Sequence, residues 1–191
     1  MMSETPSAPE TELSAALRAH LERLALEGRC VFRPEVWLGV WTHSLKGQMD
    51  RLRIDYVAQM DGGPLIGLEV KRRPEQPSDL GRALVQCSQY ATAIIAPQLA
   101  ERIEPAWLGQ PLKAVFLRVD QRGMREHIWQ HAAAAVRLYG PANVGFAYVT
   151  QHNGLNLNIG GDRWWCERWG YRANAMDRTA RVGNGNWKPE A

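Results

Sequence analysis

Apolar positions first recur at helical spacing after Thr11, at Leu13, Leu17, His20 or Leu21, Leu24 and Ala25, with Gly28 just beyond. That pattern predicts an amphipathic helix, started by Thr11 or Ser14 as cap and closed by Gly28. Residues 1–9, rich in Ser, Pro and Glu, read as a disordered tail. Cys30 to Thr42 carries Val31, Phe32, Val36, Trp37, Val40 and Trp41 but is interrupted by Pro34 and Gly39, as an irregular or edge strand would be. A polar connection, His43 to Met49, leads into two arms that alternate with period two, Leu52 to Ala58 and Leu65 to Lys71. Two prolines, Pro74 and Pro77, then stop the strand. Ser78 or Asp79 caps a helix with the stripe Leu80, Ala83, Leu84, Cys87, Tyr90, Ala91 and Ile94, ending before Pro97. Leu112 to Val119 reads as a strand buried on both sides, Arg122 to Tyr139 as a second long helix, and Val144 to Thr150 with Leu155 to Ile159 as a hairpin around Asn153-Gly154.

Parity decides which side chains of the two arms share a face. Leu52, Ile54, Tyr56 and Ala58 make one row of the first arm, and Arg53, Asp55 and Val57 the other. On the second arm Ile66, Leu68 and Val70 oppose Leu65, Gly67, Glu69 and Lys71. A three-residue loop, Asp61-Gly62-Gly63, supplies glycine for positive φ and sets Asp55 opposite Glu69, and Ile54, Tyr56 and Ala58 opposite Val70, Leu68 and Ile66. A two-residue loop would set Asp55 against the apolar row.

Directly opposed residues hold their Cβ atoms about 4.5 to 5.5 Å apart. Carboxylates that close repel unless a cation lies between them. Lys71 neutralises part of the charge, and an oxygen-seeking divalent ion such as Mg²⁺ suits the pair. The bland alternative is a solvated polar face, which an apolar stretch running into Glu69-Val70-Lys71 makes less natural.

Composition adds limits. The chain has 191 residues, 45% hydrophobic and 23% charged, which suits one domain with terminal extensions. The N-terminus, Met1 to Pro6, lacks the basic start and apolar core of a signal peptide, and no apolar run has transmembrane length, so a cytoplasmic protein off the membrane is expected. Cys30, Cys87 and Cys166 fit neither a disulfide framework nor a paired zinc motif, and read as reduced, buried thiols. A net charge of +3 permits nucleic-acid binding without requiring it. Arg51, Arg53, Arg72 and Arg73 flank the two carboxylates and suit phosphates. From Gly160 on, Trp164, Trp165, Trp169, Tyr171 and Trp187 interleave with Arg163, Arg168, Arg172, Arg178 and Arg181. Such a segment either stacks bases and grips phosphates, with Arg163, Trp164 and Arg168 foremost, or wraps back on the body as a packed lid.

Other chemistry finds less support. His127 and His131 share a helix face but lack the Glu that follows the first His in the zincin motif. The nucleophile elbow, the phosphate-binding loop and the dinucleotide fingerprint do not occur in the chain.

The order helix, strand, hairpin with Asp55 and Glu69-Val70-Lys71, helix, strand resembles the αβββαβ core of the PD-(D/E)XK nuclease superfamily over residues 10–120. Gln86-Cys87-Ser88-Gln89-Tyr90 is similar to the Gln-x-x-x-Tyr element of its RecB and lambda-exonuclease branch. Two departures are Ile54, where a proline commonly precedes the Asp, and the lack of a four-cysteine iron-sulfur set. The resemblance implies an α/β restriction-endonuclease-like domain over 10–160, with a central mixed sheet flanked by helices and a Trp/Arg-rich extension, 161–191, packed on or beside it. It further implies that Asp55 and Glu69, with the Val70 carbonyl, ligate Mg²⁺, for which Mn²⁺ would substitute, and that Lys71 orients or deprotonates the attacking water. Gln86, Tyr90 and a first-helix Glu would support them, with Glu12 the first choice and Glu22 and Glu27 the others. The expected activity is metal-dependent DNA hydrolysis by a phage, defence or repair enzyme, with RNA, a protein partner and a homodimer left open. The competing expectation is a non-catalytic protein of the same fold that binds nucleic acid or a protein partner through its Trp/Arg segment.

Overall fold

A computed structural model describes residues 10–41, 49–72, 77–95, 103–119, 143–159 and 162–172. The expected tail, the helix at 122–139 with His127 and His131, and Arg73, Arg178, Arg181 and Trp187 lie outside the described residues.

Leu13, Leu17, Leu21 and Leu24 do define one helical stripe, the buried face of α1 (Glu10–Leu26). Gly28 ends the helix with φ of 70°, a left-handed conformation that costs glycine little. The start differs from expectation. The helix begins at Glu10, and Ser14 lies within it, where its hydroxyl meets the Tyr56 hydroxyl at 2.7 Å and ties the helix to the sheet.

The strands are β1 (Cys30–Trp41), β2 (Met49–Met60), β3 (Leu65–Lys71), β4 (Ile94–Ile95), β5 (Ala114–Val119), β6 (Val144–Thr150), β7 (Gly154–Ile159), β8 (Asp162–Cys166) and β9 (Gly170–Tyr171). They form one mixed sheet in the order β4-β1-β2-β3-β5-β6-β7-β8-β9, with β3, β5 and β6 mutually parallel and the other neighbours antiparallel. Parallel β3 and β5 need a crossover, and α2 (Pro77–Ala91) lies within it. Ile94, expected in the helical stripe, instead pairs with Gly39 in β4, because α2 has already ended at Ala91.

Each face of the sheet has its own core. Leu80, Ala83, Leu84, Cys87 and Tyr90 of α2 pack with Val36, Leu38, Ile54, Val57, Val115 and Leu117. The α1 leucines pack with Tyr56, Ala58, Met60, Ile66, Leu68, Phe116, Trp164 and Trp165 on the other face. β5 is buried along most of its length, as its largely apolar run predicts. Among the described residues no helix is long and apolar enough to cross a membrane.

The segment expected as an extension is, in its described part, β8 and β9 of this same sheet. The sheet curls so that this edge returns to the β2–β3 turn. Trp165 Nε1 donates to Asp61 Oδ2 at 2.8 Å and Tyr171 Oη to the Met60 carbonyl at 3.1 Å. Glu167 joins the same edge to α1, accepting from the Leu155 amide at 3.0 Å and from the Arg23 guanidinium, and facing His20 Nδ1 at 3.1 Å.

Candidate functional site

The β2–β3 register is the one expected: Tyr56 pairs with Leu68, Val57 with Gly67, Ala58 with Ile66 and Gln59 with Leu65. Asp61 and Gly62 in the connecting turn have φ of 46° and 68°. The ladder ends at Tyr56 and Leu68, one pair short of Asp55 and Glu69, and the expected pair of Ile54 with Val70 does not form, since Ile54 lies in the core under α2 and Val70 in the core under α1. There the strands exchange side-chain bonds for backbone ones. The Val70 amide donates to Asp55 Oδ2 at 2.7 Å, and the Asp55 amide points at Glu69 Oε2 from 3.4 Å.

The cause is a break in the alternation. Ile54 lies in the core under α2, while Tyr56, two residues on, lies in the core under α1. The expected single row of Ile54, Tyr56 and Ala58 is therefore divided at Asp55. β1 inverts at the same level: Phe32 packs against the α1-side core and Val36 belongs to the α2-side core. Between them Glu35 has φ of 51°, and the pairing of Pro34 with Tyr56 and Val36 with Ile54 skips Glu35 and Asp55. A non-glycine residue in the left-handed region stores strain that the surrounding structure must hold.

Glu69 is 2% exposed and faces the α2-side core. Lys71 Nζ donates to its Oε1 at 2.5 Å. Burial pushes the Glu69 carboxyl up to about 7, against the lowering effect of the Lys71 hydrogen bond, and the Asp55 charge adds to the rise. Burial likewise raises Asp55, with the Val70 amide and Lys71 opposing and Glu10 assisting. Lys71 would be lowered by burial, but the bond to Glu69 and its charge reverse the sign, so the ammonium stays protonated. Among the described residues Asp55 has no ion-pair partner.

Beside Lys71 opens a groove of about 390 Å³ lined by Glu10, Arg72, Asp79, Arg82, Gln86 and Val119, among others. Asp55 and Glu69 are not part of the lining. The first-helix carboxylate brought here is Glu10. Glu12, the expected one, is exposed and not among the lining residues, while Glu22 and Glu27 pair with Arg18 and Arg23. An acidic first turn is the signal that would have found Glu10, had the helix start been placed one residue earlier.

Gln86 and Tyr90 are joined as their spacing predicts, Gln86 Nε2 donating to Tyr90 Oη at 2.5 Å. Tyr90 Oη in turn donates to the Arg53 carbonyl at 2.8 Å, gripping β2 two residues before Asp55. Arg72 borders the groove, and Arg51 and Arg53 are exposed on β2. Trp164 does not fit its expected role: it is 2% exposed and packed against Phe116 and Tyr171, with no face open to a base. Arg163 and Arg168 instead flank exposed Trp169, their Cζ atoms 5.2 and 5.3 Å from its ring centroid.

Among the described residues no three of His, Cys, Asp and Glu converge as a full ligand set. The donor chemistry nevertheless suits a hard divalent ion: two carboxylates face each other, both raised, with Lys71 bonded to one of them. In comparisons with known proteins, the chain matches no family model, no curated protein and no solved structure.

Proposed function

We propose that this protein is a Mg²⁺-dependent deoxyribonuclease with its centre at Asp55, Glu69 and Lys71. The observation that carries the reading is the crossed pair at the end of the ladder, where half-buried Asp55 and buried Glu69 face one another and Lys71, bonded to Glu69, lines the groove. Without a chemical role this is a costly arrangement, because buried carboxylates repel and lose hydration. Apart from the short β4 between α2 and β5, the order α1, β1, β2, β3, α2, β5 agrees with the αβββαβ order that the sequence resembles, and Gln86 and Tyr90 are joined on α2, where that resemblance expects them.

Asp55 and Glu69, with the Val70 carbonyl, would hold the ion, and water or phosphate oxygens would complete its shell. When bound, Mg²⁺ supplies an activated water and neutralises charge on the phosphate. The remaining work belongs to the chain. Lys71, protonated and lining the groove, would offer its positive charge to a phosphate bound there. Its bond to Glu69 fixes the direction of that charge. Arg72 and Arg82 along the groove extend the positive surface to flanking phosphates. Tyr90 fixes β2, and with it Asp55.

Calorimetric titration with Mg²⁺ and with Mn²⁺ tests the reading. Binding is expected for the wild-type protein and lost in Asp55→Ala. Binding unchanged by that substitution, or no binding of either ion, contradicts it.

A further inference from the structure

The inversion at Glu35 and Asp55 also decides what faces solvent beyond it. Val36, Leu38 and Ile54 turn into the core under α2, so alternation sends Trp37, Arg51 and Arg53 to the opposite face of the β1–β2 ribbon. Trp37 pairs across the ribbon with Arg53, and Gly39 pairs with Arg51. The Trp37 side chain is 42% exposed, a large apolar surface for a strand residue with core neighbours on either side. The Arg53 Cζ lies 5.9 Å from its ring centroid, within cation–π range. Both arginines are exposed. The ion pair of Arg53 with Glu35, 3.8 Å long between side chains 56% and 71% exposed, is too weak to take the guanidinium out of play.

This surface lies close to Asp55 along β2 and β1. Arg53 precedes Asp55 by two residues on the same strand, and Trp37 sits one strand over from Arg53. Strand rise and spacing place the Trp37 backbone within roughly 10 Å of Asp55. Tyr90 holds the Arg53 carbonyl, so the position of the platform relative to the site is fixed.

We infer that Trp37, flanked by Arg51 and Arg53, is a stacking platform for an unpaired base of single-stranded DNA next to the bond to be cleaved. An exposed indole accepts the face of any base, while the guanidiniums hold the adjoining phosphates. A base already paired and stacked within a duplex cannot offer that face, so the platform selects single strands and frayed ends. The inference rests on the nuclease reading for the identity of the ligand, and it adds which form of DNA is taken.

The test is fluorescence anisotropy of the full chain with a short fluorescein-labelled oligothymidylate and with a hairpin duplex, in EDTA so that binding is read apart from cleavage. Trp37→Ala is expected to weaken oligothymidylate binding by about tenfold or more while changing hairpin binding little, and Trp37→Phe to restore most of the loss. Trp37→Ala binding oligothymidylate like the wild type, or losing both ligands equally, overturns the inference, as does a wild type that binds no oligothymidylate. Cleavage with Mg²⁺ is scored separately. A wild type that cleaves DNA while Trp37→Ala binds normally defeats the platform alone. A wild type that never cleaves yet binds oligothymidylate through Trp37 defeats the nuclease reading alone.

Discussion

Tyr90 of α2 donates its hydroxyl to the carbonyl of Arg53 in β2 at 2.8 Å, fixing the strand just before it inverts at Asp55. The same hydroxyl accepts from Gln86. Tyr90→Phe leaves the Arg53 carbonyl and the Gln86 amide without this partner, and should cost about 1 to 2 kcal/mol of stability. Because Asp55 would then be held less firmly, kcat should fall about ten- to a hundredfold with KM little changed. Urea denaturation and steady-state cleavage on the same preparation check both parts; a KM effect alone would speak against a positioning role.

Glu10 and Glu12 stand two residues apart on α1, and only Glu10 borders the groove with Lys71. Glu10→Gln should therefore lower Mg²⁺-dependent cleavage, whereas Glu12→Gln should leave it at the wild-type rate. Equal effects would show that α1 contributes only general charge.

Gly67 lies where β3 passes beneath α2's core. A Cβ added there would come within 2.5 Å of Ile54 Cδ1 and 2.9 Å of Leu112 Cδ1. Gly67→Ala should destabilise the fold by about 1 to 3 kcal/mol through overpacking. It should also disturb the site, since Ile54 adjoins Asp55. Thermal unfolding of the variant is the check, and an unchanged midpoint would mean the core yields more readily than its packing implies.

Asp61 joins the β2–β3 turn to the far edge of the sheet. Its burial favours the neutral acid, but hydrogen bonds from Arg29, at 2.9 and 3.2 Å, and from Trp165 outweigh that and hold the carboxyl below its ordinary value of 3.8. A carboxyl depressed in the folded state stabilises it above the unfolded-state value, and that contribution is lost as pH falls through the folded-state value. Asp61→Asn, which retains the tolerance of Asp for positive φ, should cost about 1 to 2 kcal/mol at neutral pH and flatten the decline in stability below pH 3.8. Denaturation midpoints measured across the acid range would show a parallel decline in both proteins if Asp61 contributed nothing.

Much of this architecture is legible from local pattern. The leucine stripe of α1, the Gly28 stop, the apolar run of β5 and the β6–β7 hairpin each follow from periodicity and turn chemistry. The β2–β3 register follows from a loop with two glycines. What pattern could not reveal is the inversion at Asp55, because it depends on one non-glycine residue, Glu35, entering the left-handed region, which no composition marks. The same inversion turns Ile54 into the core under α2 and sends Trp37 to the opposite face. The Trp/Arg run left base stacking and packing on the body open, and pattern could not choose between them: Trp164 and Trp165 are adjacent, so strand alternation should send them to opposite faces, yet both are buried in one core at a curled edge. Glu10 was missed because a helix start drawn at Thr11 left it outside.

The most direct measurement is single-turnover cleavage of labelled DNA by the wild type, Lys71→Ala and Glu69→Ala, with and without Mg²⁺. The proposed centre predicts cleavage by the wild type only when Mg²⁺ is present, a fall of about 10² to 10³ in rate for Lys71→Ala, and a loss at least as large for Glu69→Ala. Cleavage that persists unchanged in either variant, or a wild type inert with both Mg²⁺ and Mn²⁺, would contradict it.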